Sequence, residues 1–145
     1  MDVFTIGFTQ TTAESFFTRL ADAGVVRVLD VRLRNDSQLA GFAKARDLPY
    51  FLRELIGAEY AHEPLLAPTA EIMDAFKKQK GSWDEFAPRF KALLAERAVE
   101  DRLDRGGFER PTALLCSEAD AEHCHRLLVV EYLDEKWGEM AAVHL

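Results

Sequence analysis

The sequence predicts one α/β domain over residues 1–145, with a mainly parallel central sheet of about five strands and helices on both faces. Three observations predict it. Short apolar, β-branched runs alternate along the chain with segments of helical spacing, the pattern of repeated strand–helix units. The clearest strand candidates, Val25–Val31 and Thr112–Cys116, are nearly continuous apolar runs, as strands covered on both faces require. Finally, 145 residues suffice for one core burying about two-thirds of the unfolded surface, and no composition shift marks a linker.

Each element has its own signal. Val3–Phe8 reads as the first strand, closed by Gly7 and Thr9. Thr11 and Glu14 have capping-box spacing, and Phe16, Phe17, Leu20 and Ala23 recur at helical spacing before Gly24. Val25–Val31 ends in Asp30-Val31-Arg32, and a polar loop, Leu33–Asp47, follows. Pro49 suits the first turn of a helix that carries Leu52, Leu55 and Ile56 and stops at Gly57. Glu59–Glu63 is a weaker strand candidate ended by Pro64. Ile72, Met73 and Phe76 form a helical stripe stopping at Gly81, and Ser82 with Glu85 opens another helix. Pro88 lies too far inside that helix for a first-turn proline, so a kink or break is expected there, with Gly106-Gly107 as its end. Thr112–Cys116 is the central strand. Asp120 is the N-cap candidate for an apolar helix running to about Trp137 and stopped by Gly138, and Met140–Leu145 forms a last short strand.

Composition excludes several classes. A net charge of −7 disfavours a broad nucleic-acid or anionic-membrane face, though a local basic pocket remains compatible with it. The start, MDVFTIGFTQ, lacks the apolar stretch of a signal peptide, and no apolar run approaches the roughly 18 residues of a membrane span. Two cysteines eight positions apart give no disulfide framework, which favours a reducing cytoplasm.

Chemistry concentrates in Thr112–Arg126, where two thiols, two histidines, Glu118 and Arg126 surround the end of one strand and the start of the next helix. In parallel sheets ligands bind outside the carboxyl ends of the strands. Here those ends carry Gly7 and Thr9, Asp30 and Arg32, His62, Cys116 and Glu118, and His144, so a pocket is expected at that edge. Cys116 reads as a nucleophile favoured by a helix N-terminus and nearby cations, or as a buried strand-end hydrophobe. Cys124 is spaced from Leu127 and Leu128 for core packing. Asp30 and Arg32, two apart, read as a structural ion pair, or as a base and an anion-binding group. Arg126 suits an anion, or an internal partner such as Glu118 or Asp30. His62 and His125 are the proton-transfer candidates, each with a structural alternative. Gly7 and Thr9 could cradle an anion through backbone N–H groups, while TIGFT has no P-loop signature. Cys-x7-Cys-His is not a standard ligand spacing, so no metal and no cofactor are expected.

The segments TIGFT (Thr5–Thr9), LDVR (Leu29–Arg32), Ser37 with Gly41-Phe42, Tyr60-x-His62-x-Pro64, LLCSE (Leu114–Glu118), CHR (Cys124–Arg126) and the terminal Val143–Leu145 resemble the DUF488 family along the whole chain. The resemblance implies a compact α/β domain and marks these positions, Ser37 included, as the family's site; it implies no reaction. The family usually has a proline soon after DVR, where this chain reads Leu33-Arg34-Asn35-Asp36. A strand ending DVR and a later strand ending in cysteine are distantly similar to rhodanese-like domains, but the anion-binding loop that should follow that cysteine is missing from CSEADAEHCHR. Two function classes follow. One is an enzyme acting on an anionic small molecule or nucleotide-like group, with Arg32 and Arg126 binding the anion, Cys116 or Glu118 reacting and a histidine carrying the proton. The other is a non-catalytic module binding a nucleotide, a nucleic-acid end or an acidic partner.

Overall fold

A computed structural model describes residues 1–36, 41–118 and 124–145. The strands are β1 (Asp2–Gly7), β2 (Arg27–Asp30), β3 (Glu59–His62), β4 (Thr112–Cys116) and β5 (Ala141–His144). They form one sheet in the order β3-β2-β4-β1-β5, and every pairing is parallel. The helices are α1 (Ala13–Asp22), α2 (Leu48–Ile56), α3 (Ala70–Lys77), α4 (Trp83–Glu96), the short α5 (Val99–Arg102) and α6 (His125–Trp137). The expected α/β architecture is the one observed. Among the described residues no helix is long and apolar enough to cross a membrane.

Strand alternation divides the core between the two faces of the sheet. Ile6, Val28, Ala113 and Leu115 pack with Phe16, Phe17 and Leu20 of α1 and Leu48 and Leu52 of α2. Leu29, Val31 and Leu114 face the other way, onto Phe86, Phe90 and Leu94 of α4 and Leu128, Val129 and Leu133 of α6. β4 is buried along its whole length, as its uninterrupted apolar sequence requires.

Local chemistry accounts for most helix ends. Thr12 caps α1 by accepting from the Ser15 N–H, so the capping hydroxyl belongs to Thr12 and not to Thr11. Ser82 caps α4 through the Glu85 N–H, as expected. Gly57 ends α2 at φ 66°, a left-handed position that glycine takes without a side-chain penalty.

Two expected boundaries are corrected. α4 runs through Pro88 without interruption, because Phe86, Phe90 and Leu94 bury the helix against the sheet and offset one missing hydrogen bond. The break comes instead at Ala98, where φ is 50°, and Gly106-Gly107 falls in a separate 3-10 turn, Arg105–Glu109. The last long helix begins at His125 with Cys124 at its N-cap, four residues after the expected N-cap at Asp120; Asp120 itself lies outside the described residues.

Candidate functional site

Because all strands run one way, their carboxyl ends share an edge. Gly7 pairs in register with Cys116, and Asp30 with both Leu115 and His62. A cleft of about 280 Å³ opens there, between the ends of β2 and β4, the end of α3 and the start of α6. Cys116, Cys124 and His125 line its inner part, Met73, Phe76 and Phe86 an apolar wall, and Arg34, Lys77, Lys78, Asp74 and Glu118 its polar lining.

The inner cluster is built from two elements. β4 ends at Cys116, whose alternation places its sulfur on the α4–α6 side, and α6 opens with Cys124 and His125 against it. The two sulfurs are paired as a disulfide. This corrects the expectation of two unpaired cysteines: eight residues of sequence separation say nothing about how a turn folds back. His125 Nδ1 lies 3.6 Å from Cys116 Sγ, while Nε2 lies 2.7 Å from the Val31 carbonyl. A carbonyl only accepts, so Nε2 carries the proton and Nδ1 presents a lone pair to the sulfur. Phe90 meets the imidazole edge-on at 5.5 Å. Burial pushes the His125 pKa down to about 4, with Arg126 and Lys77 adding to the effect against the Val31 carbonyl and Asp30. With the cysteines paired the ring is neutral at physiological pH; a thiolate on reduced Cys116 raises its proton affinity.

Cys116, Cys124 and His125 also bring three soft donor atoms within 4.8 Å of one another, despite their irregular spacing in sequence. Were the sulfurs reduced, these are the residues that could hold a zinc-type ion, with Val31 orienting the imidazole.

The ion pair of Asp30 and Arg32 forms the floor beside this cluster. The buried Asp30 carboxylate accepts from the Arg32 backbone N–H at 3.1 Å, from its guanidinium at 2.8 Å through each oxygen, and from the Tyr60 hydroxyl at 2.6 Å. Arg32 also donates to the Ala43 carbonyl at 2.7 Å and lies 5.2 Å over the Phe8 ring. Burial, with the bond to Asp30, raises the Tyr60 pKa above the usual phenol value. Asp30 and Arg32 are therefore engaged with each other.

The remaining candidates separate. Arg126 is buried and donates to the Glu118 carbonyl at 2.5 Å, holding the turn after β4. Gly7 lies directly beneath that turn: a Cβ at this position would sit 1.6 Å from the Glu118 carbonyl oxygen. The Phe8 and Thr9 N–H groups donate to the Ser117 carbonyl at 3.3 and 3.1 Å, so the turn occupies the cradle an anion was expected to use. The Glu118 carboxylate pairs with Lys77 at 2.8 Å. His62 lies exposed on β3, donating to the Arg32 carbonyl at 3.0 Å, and does not line the cleft. His144 bonds Thr5. Ser37 and His123 lie outside the described residues. The structure thus brings Arg32, Cys116, Glu118 and His125 to one cleft and leaves Asp30, His62, Gly7, Thr9 and Arg126 around it.

Sequence reasoning missed Lys77, Lys78 and Arg34. Lys77 and Lys78 read as the solvated end of an amphipathic helix; only the docking of α3 beside the sheet edge turns them into a rim. Phe76 packs on Trp83 and Phe86 of α4, and Arg97 of the α4–α5 junction donates to the carbonyls of Leu65 at 2.8 Å and Ala67 at 2.6 Å just before α3.

The family model described as "Domain of unknown function DUF488" matches residues 12–133, which include every residue of the cleft. Comparison with curated proteins and with solved structures gives no match.

Proposed function

The chain belongs to the DUF488 family, and we propose that it is an enzyme whose cleft takes a small anionic or nucleotide-like substrate, with Cys116 as the reactive thiol and His125 as the acceptor of its proton. The observation that carries this reading is the 3.6 Å approach of His125 Nδ1 to Cys116 Sγ at the inner end of the cleft. A neutral imidazole whose far nitrogen is committed to a carbonyl has one lone pair left, and it faces the sulfur. That is the arrangement of a nucleophile and its base. The thiol must first be released from Cys124 by reduction.

Charge supports an anionic substrate. Arg34, Lys77 and Lys78 line the cleft against the carboxylates of Asp74 and Glu118, three cations to two anions once Arg32 is set against its buried partner Asp30, in a chain whose net charge is −7. Such a local reversal of sign concentrates anions where the rest of the surface repels them. In this reading Arg32 and Arg126 hold the strand ends in place, and the lysines meet the substrate.

Alkylation of the reduced, folded protein tests the proposal. Cys116 should react with both iodoacetamide and iodoacetate, and relative to a free cysteine peptide it should favour the anionic reagent. A Lys77→Ala, Lys78→Ala variant should lose that preference. If Cys116 is unlabelled until denaturant is added, it is a packing residue and the enzyme reading fails.

One observation favours the alternative of a non-catalytic binding module: much of the charge is internally paired, Lys77 with Glu118, Arg34 with Asp74 at 3.3 Å, and Arg32 with Asp30. Stabilisation by phosphate or sulfate in thermal melts, with an inert Cys116, would select it.

A further inference from the structure

We infer that Cys116 and Cys124 are a redox pair that exchanges electrons with a small anionic disulfide bound in this cleft, Cys116 attacking and Cys124 resolving. The inference rests on the proposed reading of Cys116 as a reactive thiol and adds a second thiol, a substrate class and a reaction.

Four observations converge on it. The two sulfurs adjoin within one chain, so Cys124 is placed to resolve a mixed disulfide formed on Cys116. Both cysteines, 4% and 2% exposed, line the inner end of the same cleft, beside a space that a ligand can enter. His125 stands beside Cys116, where it can take the thiol proton. Cys124 is the N-cap of the 13-residue helix α6, so a thiolate on it meets the positive end of the helix dipole. A pair with only a structural purpose would need neither the cleft nor the base.

The chemistry balances with the dithiol as reductant and the disulfide R–S–S–R as oxidant. The Cys116 proton passes to His125 Nδ1 and its sulfur attacks one substrate sulfur. The substrate S–S bond breaks, and the first thiolate leaves with the proton from His125. Cys116 now holds the second half of the substrate as a mixed disulfide; Cys124 gives its proton to water, its thiolate attacks Cys116 Sγ, the Cys116–Cys124 bond forms as the mixed disulfide breaks, and the second thiolate leaves and takes a proton from water. Two electrons and two protons have moved from the protein to two R–SH molecules. A low-mass thiol in excess reverses the sequence and restores the dithiol. The cationic rim selects substrates whose R groups carry carboxylates.

The test uses the full chain, reduced with a phosphine that is then removed, and two small disulfides of opposite charge: dithiodiglycolate, a dianion, and cystamine, a dication. Aliquots are quenched with N-ethylmaleimide and weighed by mass spectrometry. Wild-type protein should lose both alkylatable thiols to dithiodiglycolate and release two mercaptoacetates per chain. Cys124→Ser should instead retain a mercaptoacetate adduct on Cys116, and Cys116→Ser should form its adduct more slowly. The dianion should react roughly tenfold faster than the dication, and the ratio should fall in the Lys77→Ala, Lys78→Ala variant. Wild-type oxidation needs no variant to fold, so it decides the question even if a serine protein is unstable. If the folded wild-type protein keeps both thiols through the incubation, or holds a stoichiometric zinc ion that protects them, the redox pair is overturned. The iodoacetate preference could then persist, and the proposed function with it. Exchange at equal rates with both reagents would support the redox pair and overturn the anionic substrate.

Discussion

His125 bridges the two halves of the site: its Nδ1 lies 3.6 Å from Cys116 Sγ at the end of β4, and its Nε2 lies 2.7 Å from the Val31 carbonyl just beyond β2. One ring thereby ties two neighbouring strands and fixes its own tautomer. Replacing it separates those functions. In His125→Asn the short amide can stand where Nδ1 was, whereas in His125→Gln the longer one can reach Val31 but offers nothing to the sulfur. We expect His125→Gln to fold and to slow alkylation of reduced Cys116 by roughly tenfold, the effect of about one unit in thiol pKa. The rate for His125→Asn should fall between those of the glutamine variant and the wild type. Equal rates in all three proteins would remove His125 from the chemistry.

The same ring should make the fold acid-sensitive. In the unfolded chain an imidazole takes a proton near pH 6.5, while the folded protein holds His125 neutral down to about 4, by burial first and then through Arg126 and Lys77, with the Val31 carbonyl and Asp30 opposing. Between those values the unfolded state binds more protons. Stability therefore falls as the pH falls from 6.5 towards 4, by at most about 1.4 kcal/mol per pH unit from this one group. Urea midpoints at pH 7.5, 6, 5 and 4.5 should show a shallower decline for His125→Asn than for the wild type. Groups common to both proteins cancel in the comparison. Parallel declines would mean that His125 is protonated in the folded state at an ordinary pH.

The sheet was legible because its strands carry their own evidence. Thr112–Cys116 is apolar at every position but its first, and Val25–Val31 is largely apolar with four valines in seven residues; each demands cover on both faces. Once strand and helix alternate, the convergence of Asp30, Arg32, Cys116 and Glu118 on one edge follows from topology. What lay hidden depends on contacts between segments distant in sequence. Asp120 has the chemistry of an N-cap, yet Cys124, with φ −122° and ψ 140°, is still extended, and the pairing of its sulfur with Cys116 holds it beside the strand end. Lys77 and Lys78 belong to the cleft because α3 docks on α4, through Phe76 against Trp83 and Phe86 and through the Arg97 bonds to the turn before α3. Ala98 takes a left-handed conformation without being glycine, so nothing in the residue type marked the break that Pro88 was expected to make.

Asp30 should be the costliest polar residue to remove. Its carboxylate is fully buried and takes donors from both the backbone and the guanidinium of Arg32 and from Tyr60. Asp30→Ala leaves the Arg32 charge, itself 3% exposed, without its partner, and should cost about 3–5 kcal/mol. Tyr60→Phe removes one hydrogen bond to that carboxylate and should cost about 1–3 kcal/mol. Because the two share one acceptor, the double variant should lose less than the sum of the single losses. Chemical denaturation of the four proteins checks this. Strict additivity would mean that Tyr60 stabilises the fold by some route other than Asp30.

Gly7 explains how the turn after β4 can lie so close to β1. The Glu118 carbonyl oxygen would meet a Cβ on residue 7 at 1.6 Å, and Arg126 Nη1 would meet it at 2.7 Å. The Arg126 end can shift, but the carbonyl belongs to the backbone that joins Cys116 to the cleft. Gly7→Ala must therefore push Ser117 and Glu118 outward, weakening the bonds from the Phe8 and Thr9 N–H groups to Ser117 and the one from Arg126 to Glu118. A loss of about 3 kcal/mol or more is expected, at the high end for a single substitution. Gly41→Ala, where an added Cβ meets nothing within 4 Å, should stay within about 0.5 kcal/mol and serves as the control. The displacement should also reach the chemistry, because Glu118 leads directly back to Cys116. In whatever fraction of Gly7→Ala remains folded, the charge preference in alkylation of reduced Cys116 should shrink, since the Lys77–Glu118 pair moves with the turn. A Gly7→Ala protein with wild-type stability and wild-type selectivity would mean that the turn after β4 leaves room for a side chain on β1.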